Sequence, residues 1–244
     1  MSFSIDYVRN IQGANGLTNT KQVLAEEAKS RIELDMLESI NCQYDSKRND
    51  VSQKFVISDT DLKYCKNILA FPDDSLNIGD IIDCFGQKWI VTDVSADNTV
   101  QCSGKMYQCN LALKFQVGTG TTIYTRYGYF DSGVFSTTTK ETQTMQIGDL
   151  QFNLVLPYDT YTRTLQRDKR LATEVLYKPD NTQTLRCFKV TSGDSVGGSF
   201  GSGKILKLKL REDEYNSQRD SVANMVCDYN ATTPSADAVG GGWV

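Results

Sequence analysis

Through residues 78–116, IGDIIDCFGQKWIVTDVSADNTVQCSGKMYQCNLALKFQ, apolar and polar positions tend to alternate in short runs broken by Gly and Asn. Ile78, Ile81, Trp89, Val91, Leu111 and Leu113 fall in these runs, and FGQ and ADN supply turns between them. The pattern predicts consecutive antiparallel strands with one buried and one wet face, as in a small barrel or sandwich. TTIYTRYGYF continues the series, with Ile123, Thr125, Tyr127 and Tyr129 on one face of a β-prone strand. Farther on, TMQIGDLQFNLVLP, TLQRDKRLATEVLY, TLRCFKVTS and KILKLKL repeat the style without repeating the sequence. In the last of these, Leu206, Leu208 and Leu210 alternate with Lys207, Lys209 and Arg211, and Ile205 follows Lys204. One face must therefore meet a core and the other solvent or a partner.

The chain ends read differently. Residues 1–17 form an expected extended arm closing on the Gly-rich GANG, after which Asn19 or Thr20 can cap a helix through KQVLAEEAKSRIELDMLESI. Leu24, Ala28, Ile32 and Met36 recur at i+4 on one side, so the helix packs on its own domain or docks, with the arm, on a neighbouring subunit. From Val51 the composition shifts to β-formers: KFVIS, then DLKYCKNILAF as a short helical or turn segment. The Ser/Thr-rich run DSGVFSTTTKETQT reads as a linker and domain boundary. The expected fold is mainly β: a small antiparallel β-barrel or sandwich plus a second β-rich domain, with an N-terminal arm and one long helix. The corresponding divisions are 1–50 for arm and helix, 51–135 for a barrel-like domain, 136–230 for a sandwich-like domain and 231–244 for a flexible tail. Phe3, Ile5 and Tyr7 of the arm and Trp243 of the tail are the candidate contacts with other subunits or partners.

At 244 residues the chain can bury a sizeable core, and two β-rich domains fit that length. Lys+Arg 26 against Asp+Glu 30 gives a net charge of −4 without a long basic run, which disfavours nucleic acid as the principal partner. There is no histidine, which removes Ser-His-Asp and Cys-His triads, His-ligated zinc and the commonest general base. Seven scattered cysteines include no CxxC, so they read as small buried hydrophobes rather than zinc ligands. MSFSIDYVRN lacks the basic and apolar regions of a signal peptide, and no stretch reaches the roughly 18 apolar residues of a membrane span. A soluble protein made in a reducing cytoplasm is expected.

Gly198-Ser199-Phe200-Gly201-Ser202-Gly203-Lys204 fits the GxxxxGK part of a phosphate-binding loop, but Ile205 stands where magnesium chemistry needs Ser or Thr, and a strand pattern follows. A turn explains these glycines. Carboxylates such as Asp73, Asp74, Asp80, Asp83, Glu212, Asp213 and Glu214 fall in turns and strand ends, without a calcium-loop spacing. A glycosidase would need two of them about 5 to 10 Å apart in a deep pocket. No GxSxG elbow is present. The residues assign no catalytic group, no cofactor and no metal.

Several segments resemble structural proteins of tailed bacteriophages. These are IGDIIDCFGQKWIVTDV, with Gly79-Asp80 ahead of a strand, the Gly86 turn and Trp89-Ile90-Val91; MYQCNLALKFQ, with Gln108-Cys109-Asn110; LPYDTYTRTLQRDKRL; GSGKILKLKLREDEYN; and VCDYN near Tyr229. Together they span residues 77–230 and leave the arm and helix outside. The first is similar to the β-barrel of head-closure (head-completion or stopper) proteins, which are usually smaller than this chain. The resemblance implies a virion protein, not an enzyme, of the head-tail connector or neck: a ring of sixfold or twelvefold symmetry, assembled in the host cytoplasm, that closes the DNA-filled head. Its partners would be copies of itself, portal or adaptor and tail-end proteins, and packaged DNA at a lumen-facing loop, with no membrane. A collar, decoration or tail protein is the alternative within the particle. A carbohydrate-binding or carbohydrate-cleaving protein is the alternative outside it, with Tyr124, Tyr127 and Tyr129 as a glycan groove.

Overall fold

A computed structural model describes residues 20–95, 101–131, 151–200 and 203–231. It is mainly β, with one helix, a curled open sheet and a closed six-stranded barrel. Helix α1 spans Thr20–Glu38. The open sheet uses β1 (Cys42–Gln43), β2 (Lys47–Arg48), β3 (Val51–Ser52), β4 (Phe55–Asp59), β5 (Cys65–Ala70), β6 (Ile81–Cys84), β7 (Gln87–Ser95) and β8 (Ser103–Gln108). Their spatial order is β1-β4-β5-β8-β7-β6-β2-β3. The barrel uses β9 (Leu111–Gln116), β10 (Ile123–Asp131), β11 (Gln151–Pro157), β12 (Arg170–Tyr177), β13 (Gln183–Asp194) and β15 (Gly203–Asp213), with the short β14 (Ser199–Phe200) on its rim.

The open sheet curls because its strands are short and β7 carries a bulge between Val91 and Asp93. Its concave face buries Phe55, Ile57, Ile68, Leu76, Ile82, Trp89, Val91 and Met106. Cys84 pairs with Gln87, leaving Phe85 and Gly86 as a two-residue hairpin loop with φ of 55° and 68°. Two successive left-handed residues give the turn whose twist suits a hairpin. The segment DLKYCKNILAF, expected as helix or turn, turns only as far as Tyr64 and then becomes β5. Alternation of Ile68 and Ala70 into the core, and ladders to both β4 and β8, outweigh the helix-like spacing of its apolar residues.

The barrel closes because β15 pairs with β13 on one side and with β11 on the other. Leu206, Leu208 and Leu210 point inward to Leu113, Phe115, Leu154, Leu156 and Phe188. Phe130, Phe152 and Phe188 pack with centroids 4.9 to 5.5 Å apart. On either side of residues 201–202 the glycine-rich run pairs antiparallel, with Ser199 opposite Lys204 and Phe200 opposite Gly203. No helix follows it, so the backbone does not form a phosphate-binding loop. The sheets divide at residues 109–110, ahead of the boundary expected near residue 135, because β9 and β10 find their partners in β11 and β12.

Between the two sheets lies a second-sided core. Ile205, on the opposite face of β15 from the leucines, packs with Ile78 and Ile90, and Tyr107, Cys109, Tyr129 and Val155 surround them. The sheets touch backbone to backbone here. A Cβ on Gly79 would sit 2.3 Å from the Lys204 carbonyl oxygen, and one on Gly203 would sit 2.2 Å from that of Ile78. Gly79 also has φ +92°, a conformation that side chains resist. The connection is only Cys109 and Asn110: the Cys109 N–H donates to Lys88 O at 2.8 Å. The Asn110 side chain donates to Phe130 O and accepts from Phe130 N–H, both at 2.7 Å, standing in for one more ladder residue.

Gly203→Ala should therefore destabilise the chain by about 1–3 kcal/mol, the usual penalty for overpacking, with the sheets forced apart. Gly86→Ala, where a Cβ meets nothing within 4 Å, should cost only the roughly 1–2 kcal/mol of a left-handed residue. Denaturant unfolding, with hydrogen exchange at Ile78 and Ile205 as the reporter of the seam, checks this: seam protection should fall in the first variant and persist in the second.

Candidate interaction surfaces

Two clefts flank the seam. The first, about 570 Å³, is lined by Asp50, Asp83, Lys88, Arg126, Tyr127 and Asp159 among others. It is rich in charge, but each cation is engaged. Lys88 Nζ lies 3.1 Å from Asp83 and 5.0 Å above the Tyr127 ring. Arg126 donates to Asp159 Oδ2 at 2.5 Å and lies 5.3 Å from the Tyr161 ring. Burial alone would raise the Asp159 carboxyl, but the Thr162 and Tyr161 N–H groups and Arg126 hold it below the usual carboxylate range. A carboxylate held ionised cannot serve as the general acid of glycoside cleavage at neutral pH.

The second cleft, about 420 Å³, is aromatic. Tyr129 stacks on Tyr64 at 6.1 Å and meets Tyr107 at 5.1 Å. Burial, helped by the charge of Asp131, pushes the Tyr129 phenol up to about 12, so it stays a neutral donor. These rings line the cleft, facing one another, and Tyr107 and Tyr129 also pack against the isoleucines of the seam. Tyr124 lies elsewhere, 4.0 Å from Tyr161, and Tyr127 belongs to the first cleft. The three tyrosines expected as one glycan groove are thus divided between separate surroundings.

The remaining carboxylates singled out in the sequence are mostly structural. Asp80 is buried and accepts from Arg48 Nε, Asn49 Nδ2 and the Asn77 N–H, tying β2 to the loop before β6. Asp73 meets Lys29 of α1 at 2.5 Å, Glu212 meets Arg186 at 3.1 Å, and Asp213 meets Arg170 at 2.6 Å.

Arg170 is the hub of a buried charge network that sequence spacing did not reveal. It opens β12, donating from Nε to Asp213, from Nη1 to Asp220 and Asp228, and from Nη2 to Asp220 and the Glu214 carbonyl. The Asp220 side chain is 0 % exposed and also accepts from the N–H groups of Asn216 and Asp228. Residues 214–231 are thereby folded as a lap over the outer face of β12 and β13, burying Cys227 on Ala172, Leu185 and Cys187. A second clasp joins the lap to β9: Gln116 donates to Asn230 O at 3.0 Å and accepts from Asn230 N–H at 2.8 Å. Cys187, Asp220 and Cys227 each bring one potential ligand atom within 4.8 Å of the others. The two oxygens of Asp220 are already filled by four N–H donors, which leaves no lone pair for a cation.

Helix α1 leaves apolar surface exposed at the edge of the open sheet. Ile32, Met36 and Leu37 pack toward Cys42, Val56 and Phe71, and the Tyr44 hydroxyl donates to Leu37 O at 2.6 Å. Leu24, expected on that packed face, is 59 % exposed, because the helix overhangs the narrow edge formed by β1. Leu34 and Ile40 are 60 % and 97 % exposed, and Val51, on the opposite edge strand β3, is 69 % exposed. The candidate contacts Phe3, Ile5, Tyr7 and Trp243 lie outside the described residues.

No family model, curated protein or solved structure matches the chain. Function is therefore argued from the surfaces themselves.

Removing Arg170 strands a fully buried carboxylate, so Arg170→Met should cost about 3–5 kcal/mol, and adding Asp220→Leu should recover part of the loss. The acid response follows from the Asp220 shift. Burial opposes it, but Arg170 and two N–H groups hold the folded carboxyl below its ordinary value. Its contribution is complete above the unfolded value of about 3.9 and is lost as pH falls through the lower folded one. Hydrogen exchange should show residues 214–231 opening in acid before the barrel interior does; simultaneous opening would contradict the assignment.

Proposed function

We propose that this chain is a structural protein of a tailed-bacteriophage particle, part of the head-tail connector, where copies of it form a ring that closes the filled head and joins it to the tail. It works by presenting surface to its own copies and to portal, adaptor or tail-end proteins, with no step of turnover. The observation that carries this reading is the underpacked helix α1, which holds Leu24, Leu34 and, just past its end, Ile40 toward solvent at the edge of a body whose interior is otherwise closed. Isolated exposed leucines are common, but two on one helix with an isoleucine just past its end suit a segment that completes its packing on a neighbour. The engaged charges of the first cleft and the tyrosine lining of the second add support, since these groups are held by one another and not poised to react. Heterologous contacts of this kind close into rings when the rotation between neighbours allows it.

A reconstruction of the assembled particle is expected to place this chain in a ring at the portal vertex, with α1 against the adjacent copy. Leu34→Glu with Ile40→Glu should leave folding stability within about 0.5 kcal/mol, as for other surface changes, while particles carrying it lose the joined tail. Density for the chain elsewhere in the particle, or normal tailed particles from the double variant, would reject the reading.

A further inference from the structure

We infer that Cys187 and Cys227 are a disulfide site that fastens the C-terminal lap to the barrel wall. Their Sγ atoms are 3.2 Å apart across 40 residues of sequence. A disulfide would bring the two sulfurs to about 2.05 Å. The pairing is held by independent anchors on both sides. Arg170 and Asp220 fix the start of the lap, Gln116 and Asn230 fix its end, and the Tyr229 N–H donates to Arg219 O at 2.7 Å. Val222, Met225 and Tyr215 seal the pair against Ala172 and Leu185. Cys102 and Cys109, the two cysteines that are only partly buried, pack against the cores of the open sheet and of the seam and lie away from the lap.

The co-reactant is a low-molecular-weight disulfide such as oxidised glutathione, admitted when the lap opens locally. The Cys227 thiol donates its hydrogen bond to Cys187, which lowers the Cys187 thiol and makes it the first to ionise. The Cys187 thiolate attacks one sulfur of the small disulfide, whose S–S bond breaks and expels one small thiolate. Cys227 then passes its proton to that thiolate and attacks the Cys187 sulfur. The second small thiolate leaves and takes from water the proton that Cys187 gave up. Two protein thiols are oxidised to one disulfide, and the small disulfide is reduced to two thiols. That the bond stays open during assembly in a reducing cytoplasm and closes after release rests on the connector reading; the pair itself does not.

The test uses the full chain, reduced, freed of reductant and incubated with oxidised glutathione. The expected result is loss of two of its seven thiols, a mass lower by two hydrogens without an adduct, and a tryptic peptide Cys187-Phe188-Lys189 joined to the one carrying Cys227. Cleavage after Arg219 in the native protein should slow about tenfold or more on oxidation. Cys227→Ser, nearly the same size, should instead retain a mixed disulfide and show no slowing. Seven surviving thiols, a link to Cys102 or Cys109, or an unchanged cleavage rate once the link has formed would overturn the proposal. The same peptide map on particles before and after release tests the timing separately, and its failure would count against the connector reading alone.

Discussion

A turn and the start of a strand, meeting backbone to backbone, set the arrangement of this molecule. At the seam, residues 78–79 lie against residues 203–204 so closely that a single added Cβ at either glycine would collide with a carbonyl oxygen. Everything around that contact accommodates it. Ile205 turns outward from a strand whose leucines line the barrel, and on that outer face it is covered by the second sheet while Lys207, Lys209 and Arg211 stay exposed. Tyr129 and Tyr107 line the space where the sheets diverge on one side, and Lys88 and Arg126 line it on the other. The clefts are the geometric remainder of joining a curled sheet to a round one.

The barrel wall is covered on the outside as well as filled within. Leu185 and Cys187 face outward from β13 yet are buried, because the lap supplies a roof for them. A roof made of turns exposes many backbone groups, and the Arg170 network answers that need: its carboxylates accept from N–H groups of the lap and its guanidinium satisfies a carbonyl. Charge buried in this way specifies where the segment sits more than it adds net stability. It also uses up the acidic residues that would otherwise suggest a reaction centre.

Much of the β architecture is legible in the chain because it is local. KILKLKL, TTIYTRYGYF and the FGQ turn carry their period and turn chemistry within a few residues, and a helix does form over Thr20–Glu38, although Leu24 of its expected packed face is exposed. What is not legible depends on distant partners. β9 and β10 look like continuations of the first sheet, and only pairing with β11 and β12 places them in the barrel. The helix-like spacing in DLKYCKNILAF loses to ladders on both of its edges, which no window of that length can report. Arg170 reads as one more surface cation in RDKR until Asp213, Asp220 and Asp228 converge on it, and Cys187 and Cys227 become neighbours only through the same folding back.

The two-residue passage through Cys109 and Asn110 leaves no length of chain that could act as a pivot. Asn110 is bonded at both ends of its amide to β10, and Cys109 is bonded to β7. The two sheets are thus joined as one body instead of two beads on a string. In any closed assembly of such bodies, the angle from one copy to the next would be written into the subunit itself. The number of copies would then be chosen by the seam's shape before any neighbour arrives.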